Sequence, residues 1–348
     1  MTLVSYVSLQ GYFMNNNPFI RTQFFLGFVF SCLIMPYGLA SSFDELQDNL
    51  RFSIDVSARS VNYQDVEQVG YTHIVGMDLH KVFTNRNGDV GTLILQAYMT
   101  KLDNQIQHPS FFEDENDSQL VYRIFTFNFT QTQPWQPNLK LGHLEIPYGL
   151  EHSINTNGTL RDYAQGSNLG IKADWGVSLN KQHQLFEYEI STSTGGGQSL
   201  QANDSSYVYS ARIGTPRHLN QIVGISVYES KLANNTRRRV GLDAQHYWGL
   251  FALFGQLDHG ENNGQYVNRG LMEFNWRDTR EFTTIYLQSI YALEDSELAQ
   301  QNKLTFAIGA QLDYRQRWDF SGQFKWDHDT FNEQKKTERL SLQLRYRF

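Results

Sequence analysis

The sequence predicts an all-β chain that closes on itself as a transmembrane antiparallel β-barrel of about 16 strands, within a range of 14–18. Three observations predict it. Apolar and polar residues alternate in short stretches from Arg51 to the C-terminus, without a helical period. The connections between those stretches run long and short in turn. The chain also ends on an alternating strand, with Leu340, Leu342, Leu344, Tyr346 and Phe348 on one face and Ser341, Gln343, Arg345 and Arg347 on the other.

Composition supports the same class. The 348 residues are 14% aromatic, yet the mean hydropathy of −0.48 is too polar for a bundle of membrane helices. A barrel reconciles the two, because only alternate residues of each strand face lipid. Proline numbers 7, as few as a sheet ladder demands.

The N-terminus reads as a secretory leader. Arg21 precedes the one long apolar run, Phe24 to Met35, which is too short for a spanning helix of about 20 residues. Small residues at Gly38 and Ala40 place cleavage after Ala40, with Met14 as a second candidate start. The division is therefore 1–40 signal peptide, 41–50 periplasmic segment and 51–348 barrel. Cys32 is the only cysteine, and Phe30 sits where lipoprotein processing wants a small residue. Without Cys32 the mature chain has no disulfide, cysteine metal site or thiol nucleophile. Losing the leader's one charge, Arg21, takes the net charge from −7 to −8, which argues against a nucleic-acid partner.

Taken in order, strands are expected to start near Arg51, Tyr71, Val90, Ser118, Pro137, Asn168, Gln184, Ser206, Gln221, Arg237, Gly249, Gln265, Glu281, Asn302, Arg317 and Lys336. Alternation is clearest in four of them. Phe52 to Ala58 alternates with Arg51, Ser53, Asp55 and Ser57. Ile171 to Leu179 alternates with Lys172, Asp174, Gly176 and Ser178. Leu304 to Tyr314 alternates with Lys303, Thr305 and Gln311, and Trp318 to Trp326 alternates with Arg317, Asp319, Gln323 and Lys325. A phase change between Lys140 and Ile146 suggests a bulge.

The long connections are 103–117, 147–167, 193–205, 258–264, 294–301 and 328–335. The short ones are 85–89, 180–183, 248–249, 277–280 and 314–316. Long loops outside and short turns in the periplasm are the habit of outer-membrane barrels. Tyr247, Trp248, Trp276, Tyr291, Tyr314, Trp318, Trp326 and Tyr346 gather near strand ends, as interfacial girdles do.

Two stretches carry a family resemblance. The closing strand with its terminal Phe348 resembles the C-terminal signal of bacterial outer-membrane β-barrels. Pro147-Tyr148-Gly149-Leu150-Glu151 resembles the corresponding region of porins related to the phosphate-selective family. The resemblance implies a Gram-negative outer-membrane channel for passive diffusion of small hydrophilic or charged solutes, with lipid around it. It does not imply phosphate as the solute. Many porins are trimers, so a homotrimer is the assembly it suggests.

Candidate site residues follow from the wet face. Lys303, Arg317, Lys325, Arg345 and Arg347, with Arg339, are expected to line one wall of a pore. Glu187 and Glu189, opposite in a 16-strand ring, are expected to form an acidic wall and to set up a transverse field. Lys172 and Asp174 join the pore-lining candidates. So does Arg239, from the triplet Arg237-Arg238-Arg239, which reads equally as a solvated loop edge. The segment 147–167, with Glu151, His152, Arg161 and Asp162, is the candidate for an infolded constriction; an ordinary exposed loop is its alternative.

No sequence motif marks a nucleophile, a metal or a phosphate loop. The ten histidines are scattered, and Asn128 and Asn157 match only the glycosylation pattern. No cofactor and no catalytic residue are expected. The alternatives to a channel are a non-transporting barrel (scaffold, adhesion protein or sheath) and, further off, a barrel lipase or protease.

Overall fold

The computed structural model describes residues 49–348, apart from 87, 105–116, 131–132, 134, 152–157, 164, 202–204, 234, 281, 296–299 and 330–334. The expected leader with its expected cleavage position, residues 41–48 and His152 lie outside the described residues.

Sixteen strands follow one another: β1 (Leu50–Tyr63), β2 (Gln68–Asn85), β3 (Gly88–Asp103), β4 (Ser118–Phe129), β5 (Asn138–Glu145), β6 (Ala173–Gln182), β7 (Glu187–Ser193) and β8 (Tyr207–Gly214) in the first half. The second half holds β9 (Gln221–Leu232), β10 (Asn235–Trp248), β11 (Phe251–Asn262), β12 (Gln265–Arg277), β13 (Thr283–Asp295), β14 (Gln300–Tyr314), β15 (Trp318–Asp329) and β16 (Lys335–Arg347). Each strand pairs antiparallel with the next. β16 pairs with β1, from Asp55 opposite Arg347 to Tyr63 opposite Arg339, so the sheet closes without an edge. The 16-strand antiparallel barrel expected from the alternation is the fold observed.

Two-residue periodicity sorts the side chains inside out. On β9 the outward Val223, Ile225 and Val227 are 49–55% exposed, while the inward Ser226 and Ser230 are at most 1% exposed. On β10 the outward Val240 and Leu242 are exposed and the inward Arg239 and Asp243 are buried. An outer face of exposed aliphatics is unfavourable in water and is the surface a bilayer would cover. Aromatic rings band one end of that face. Phe251 sits opposite Trp276, Tyr314 opposite Trp318, and Trp318 opposite Tyr346. Tyr247, expected in this band, instead points inward and lines a cavity.

The two ends differ. At one end are both barrel termini and the strand ends that the β2–β3, β6–β7, β10–β11 and β14–β15 connections join; at the other are those joined by the β3–β4, β5–β6 and β7–β8 connections. The expected long connection at 258–264 is corrected: β11 continues to Asn262 and the link to β12 is only residues 263–264. Its polar residues are ladder residues, since Asp258 pairs with Gly241 and Arg269. Length sorting is therefore a property of the first half of the barrel. Arg317 is likewise corrected, because it sits exposed in the turn between β14 and β15 and not on an inner wall.

The irregularities are local. Register shifts occur between Phe83 and Thr84 and between Gln96 and Ala97. The phase change expected near residues 140–146 is a twist at Gly142, φ 122°, and the register between β5 and β6 runs through it unbroken. A Cβ there would stand 2.0 Å from the Phe125 carbonyl oxygen, so the close approach requires glycine.

Candidate functional site inside the barrel

The site begins where β5 stops. This strand has 8 residues against 18 in β2 and 16 in β3. Pro147 has no N–H to continue the ladder. Tyr148 N–H instead donates to the Ile146 carbonyl at 2.8 Å, a three-residue turn centred on the proline. Gly149 follows at φ 60°, and its N–H donates to Ser226 Oγ at 2.9 Å on the inner face of β9. The chain has left the wall and entered the barrel.

Two apolar clusters fix this outbound limb. Ile146 and Tyr148 pack with Leu169 of the returning limb and with Val208 and Tyr228 of the wall. Leu150 packs with Ile222, Phe254 and Leu271, with Tyr163 against them. Inward-facing Val208, Ile222, Phe254 and Leu271 break the rule that a lumen wall is polar, and their role is to seat the loop. Tyr148 adds a hydrogen bond, its hydroxyl donating to Asp258 Oδ1 at 2.8 Å. Burial, and then the Asp258 carboxylate, push the Tyr148 phenol far above its ordinary range, so it stays a donor.

The returning limb contains α1 (Gln165–Leu169). Gln165 N–H donates to Glu151 Oε2 at 2.7 Å, tying the two limbs together. Unsatisfied carbonyls at a helix C-terminus attract cations. Here Arg237 Nη1 donates to the carbonyls of Ser167 and Asn168 at 3.0 and 3.3 Å, and Arg269 donates to Ser167 Oγ at 2.9 Å. Arg239 Nε reaches Asn168 Oδ1 at 2.8 Å, and Asn168 in turn donates to Asp258 Oδ2 at 3.0 Å. The strand start expected at Asn168 is thus corrected: Asn168 is helical, and β6 begins at Ala173.

The tip of the loop crosses to the far wall. Thr159 O accepts from Arg59 Nη2 at 2.9 Å on β1. Arg161 Nη2 donates to Asn275 Oδ1 at 3.3 Å, lies 3.5 Å from Glu273, and stacks 4.7 Å over the Tyr286 ring. The Asp162 N–H donates to Gln288 Oε1 at 3.0 Å and its carbonyl accepts from Gln288 Nε2 at 3.1 Å, while its carboxylate forms an ion pair of 2.5 Å with Lys325 on β15. Between its base on β8–β12 and its tip on β13, β15 and β1, the loop spans the inside of the barrel. Burial and the neighbouring Glu273 push the Tyr163 phenol up as well.

The expected acidic wall is corrected by its partners. Glu189 pairs with Lys140 at 2.6 Å; Glu187 pairs with Arg212 at 3.3 Å and Arg217 at 2.7 Å. On the other wall Arg345 pairs with Asp55, Arg339 with Asp327, and Lys303 with Asp329 at 3.9 Å. Opposite charges matched residue by residue on each wall cancel most of a transverse field. Arg347, opposite Asp55 on the inner face, lies beside Asp319. The arginine triplet is split by the pleat: Arg237 and Arg239 hold the loop from inside, and only Arg238 lies outside, against Glu229 and Glu261.

Lys172 and Asp174 stand apart from the loop tip. Lys172 precedes β6, and its burial pushes the ammonium down while Glu145 and Glu151 favour its charge. Asp174 is fully buried and accepts from Thr194 Oγ1 and from the N–H groups of Gly195 and Gly197. It fastens the β7–β8 connection and offers no surface to a solute, which corrects its expected place on the pore wall. Where β5 turns inward, β4 loses a neighbour. Gln198 fills that gap, accepting from Tyr122 N at 2.7 Å and donating to Tyr122 O at 2.8 Å.

Sequence reasoning missed Arg59, Tyr148, Asp258 and Gln288 as site residues. The usable signal was an inward position held by an apolar residue, Ile222 or Phe254, on strands whose other inward residues are polar.

No protein-family model and no curated protein matches the sequence. Solved structures do match in fold. OprB of Pseudomonas putida is 10% identical with a TM-score of 0.66, over 88% of this chain and 96% of that one. OmpF of Salmonella typhi, in complex with daunomycin, is 9% identical with a TM-score of 0.63, over 86% and 97%. An anion-selective porin from Comamonas acidovorans is 10% identical with a TM-score of 0.62, over 86% and 99%. The chain therefore has a porin-like fold along nearly the full length of each.

Proposed function

We propose that the protein is a porin-like channel of a Gram-negative outer membrane, through which small hydrophilic or charged solutes diffuse passively. One observation carries the reading: the described parts of the connection between β5 and β6, residues 146–151, 158–163 and 165–172, lie inside the barrel and are tied to both sides of its wall. A 16-strand ring is wide enough for an aqueous passage, and a loop fixed across it sets the size of what passes. Glu151, Arg161 and Asp162 belong to this constriction. The inward Lys325, Arg345 and Arg347 line the passage beside it. Phosphate is not assigned as the solute.

The same reading includes export by the N-terminal leader, cleavage after Ala40, and assembly as a homotrimer. One of the similar structures is described as a trimer form of OmpT, an outer membrane protein of Vibrio cholerae. N-terminal sequencing of the membrane-extracted protein and its mass under native conditions test these parts.

One observation favours the second reading, a non-transporting barrel. Many inward polar side chains, among them Gln256, Glu273, Gln288, Thr305 and Gln323, are less than 5% exposed. Planar-bilayer recording separates the two. A channel conducts, and replacing residues 152–162 by a short Gly-Ser link raises its conductance at least about twofold, since current follows open cross-section. A folded barrel without conductance sinks the channel reading.

A further inference from the structure

We propose that the barrel binds a small neutral solute with one apolar face and several hydroxyl groups, a sugar by chemical class, in a cavity beneath the infolded loop. The proposal rests on the channel reading and names a solute class for it. The cavity has a volume of about 770 Å³ and lies between the loop and the short-turn end of the barrel, against the inner faces of β9–β14. That is within the size range of small-molecule sites, roughly 300–1,000 Å³.

Its lining selects by chemistry. Leu150 and Tyr163 of the loop and Ile222 and Phe254 of the wall give it an apolar side. Three side-chain amides, Gln245, Asn275 and Gln311, face it from β10, β12 and β14. Each spends one N–H within the wall, on Tyr247, Glu273 and Asp319 respectively, and Asn275 Oδ1 accepts from Arg161. That leaves each a second N–H and carbonyl lone-pair capacity for a solute. Its charges are matched: Arg161, Arg217 and Arg277 against Glu273, Asp278 and Asp313. They also have local partners. Arg161 lies 3.5 Å from Glu273, Arg217 lies 2.7 Å from Glu187, and Asp278 accepts from Phe282 N–H at 2.9 Å.

An ion entering this cavity meets no net opposite charge to offset its lost hydration. A neutral molecule loses less water. It gains the apolar side for its hydrocarbon face and the amides for its hydroxyls. Sidedness follows from the position of the cavity, because the loop lies between it and the long-connection end.

The test uses the full refolded barrel, with D-glucose, gluconate and glucosamine as probes, read by single-channel recording and by calorimetry in detergent. Glucose added from the short-turn side is expected to reduce the current saturably. Both charged relatives should bind at least about tenfold more weakly. Phe254→Ser removes part of the apolar side; Gln245→Leu removes an amide outside both apolar clusters, so it tests the site where Phe254→Ser fails to fold. Each should weaken glucose binding by about tenfold. A conducting barrel that shows no saturable glucose binding, or binds either ion as well as glucose, overturns the proposal. A barrel that binds glucose and does not conduct overturns the channel reading alone.

Discussion

The base and the tip of the infolded loop are held by different forces. The base, residues 146–151 with 165–169, is buried in an apolar cluster and pinned by the arginines of β10 and β12. The tip, 158–162, rests on hydrogen bonds and two ion pairs, Arg161 with Glu273 and, outermost, Lys325 with Asp162, whose carboxylate is 38% exposed. Apolar burial is insensitive to salt, whereas an exposed ion pair is screened within about 10 Å at 0.1 M. The contrast teaches that the base fixes where the loop lies, and the tip leaves its outer part adjustable by the medium.

The sharpest way to break that contrast is at the base. Leu169→Ala leaves a hole beside Ile146, Tyr148 and Val208, and is expected to cost about 2–5 kcal/mol in urea unfolding of the folded barrel. A loss as small as that of a tip substitution would show that the base is not the anchor. Tyr148→Phe comes next. It keeps the packing and removes the donor to Asp258, at about 1–3 kcal/mol. An unchanged unfolding midpoint would remove this bond from the anchor.

Asp162→Asn is the smallest. Breaking its pair with Lys325 should cost less than about 1 kcal/mol, given its exposure. It also leaves Lys325 facing the passage with one fewer counter-charge, so the channel should shift toward anions in reversal-potential measurements at low salt and much less at 1 M. A shift of equal size at both salts would contradict the screened-pair account of the tip.

How much of this was legible beforehand differs by element. The closing strand read correctly because every second residue from Leu340 to Phe348 is apolar, and a period of two admits one sheet face. Segment 147–167 also drew notice, through Pro147, Gly149 and an excess of polar residues. Its partners did not. Arg239 read as a loop edge because three consecutive arginines look like a solvated run, while the pleat sends them to opposite faces. Glu187 and Glu189 read as a bare acidic wall, because Lys140, Arg212 and Arg217 approach them only through neighbouring strands and a turn.

By itself the sequence determined the strand number to within two, the antiparallel order and the apolar face of the clearly alternating strands. Those properties are written in near-neighbour periodicity and turn chemistry, and ring closure follows once no strand edge can be left unpaired in a membrane. The tertiary structure alone decided what fills the ring. Ile146 meets Val208, Arg59 meets Thr159 and Lys325 meets Asp162 across 62 to 163 residues of chain. Contacts at such separations depend on register and curvature around the whole barrel, which no local pattern encodes.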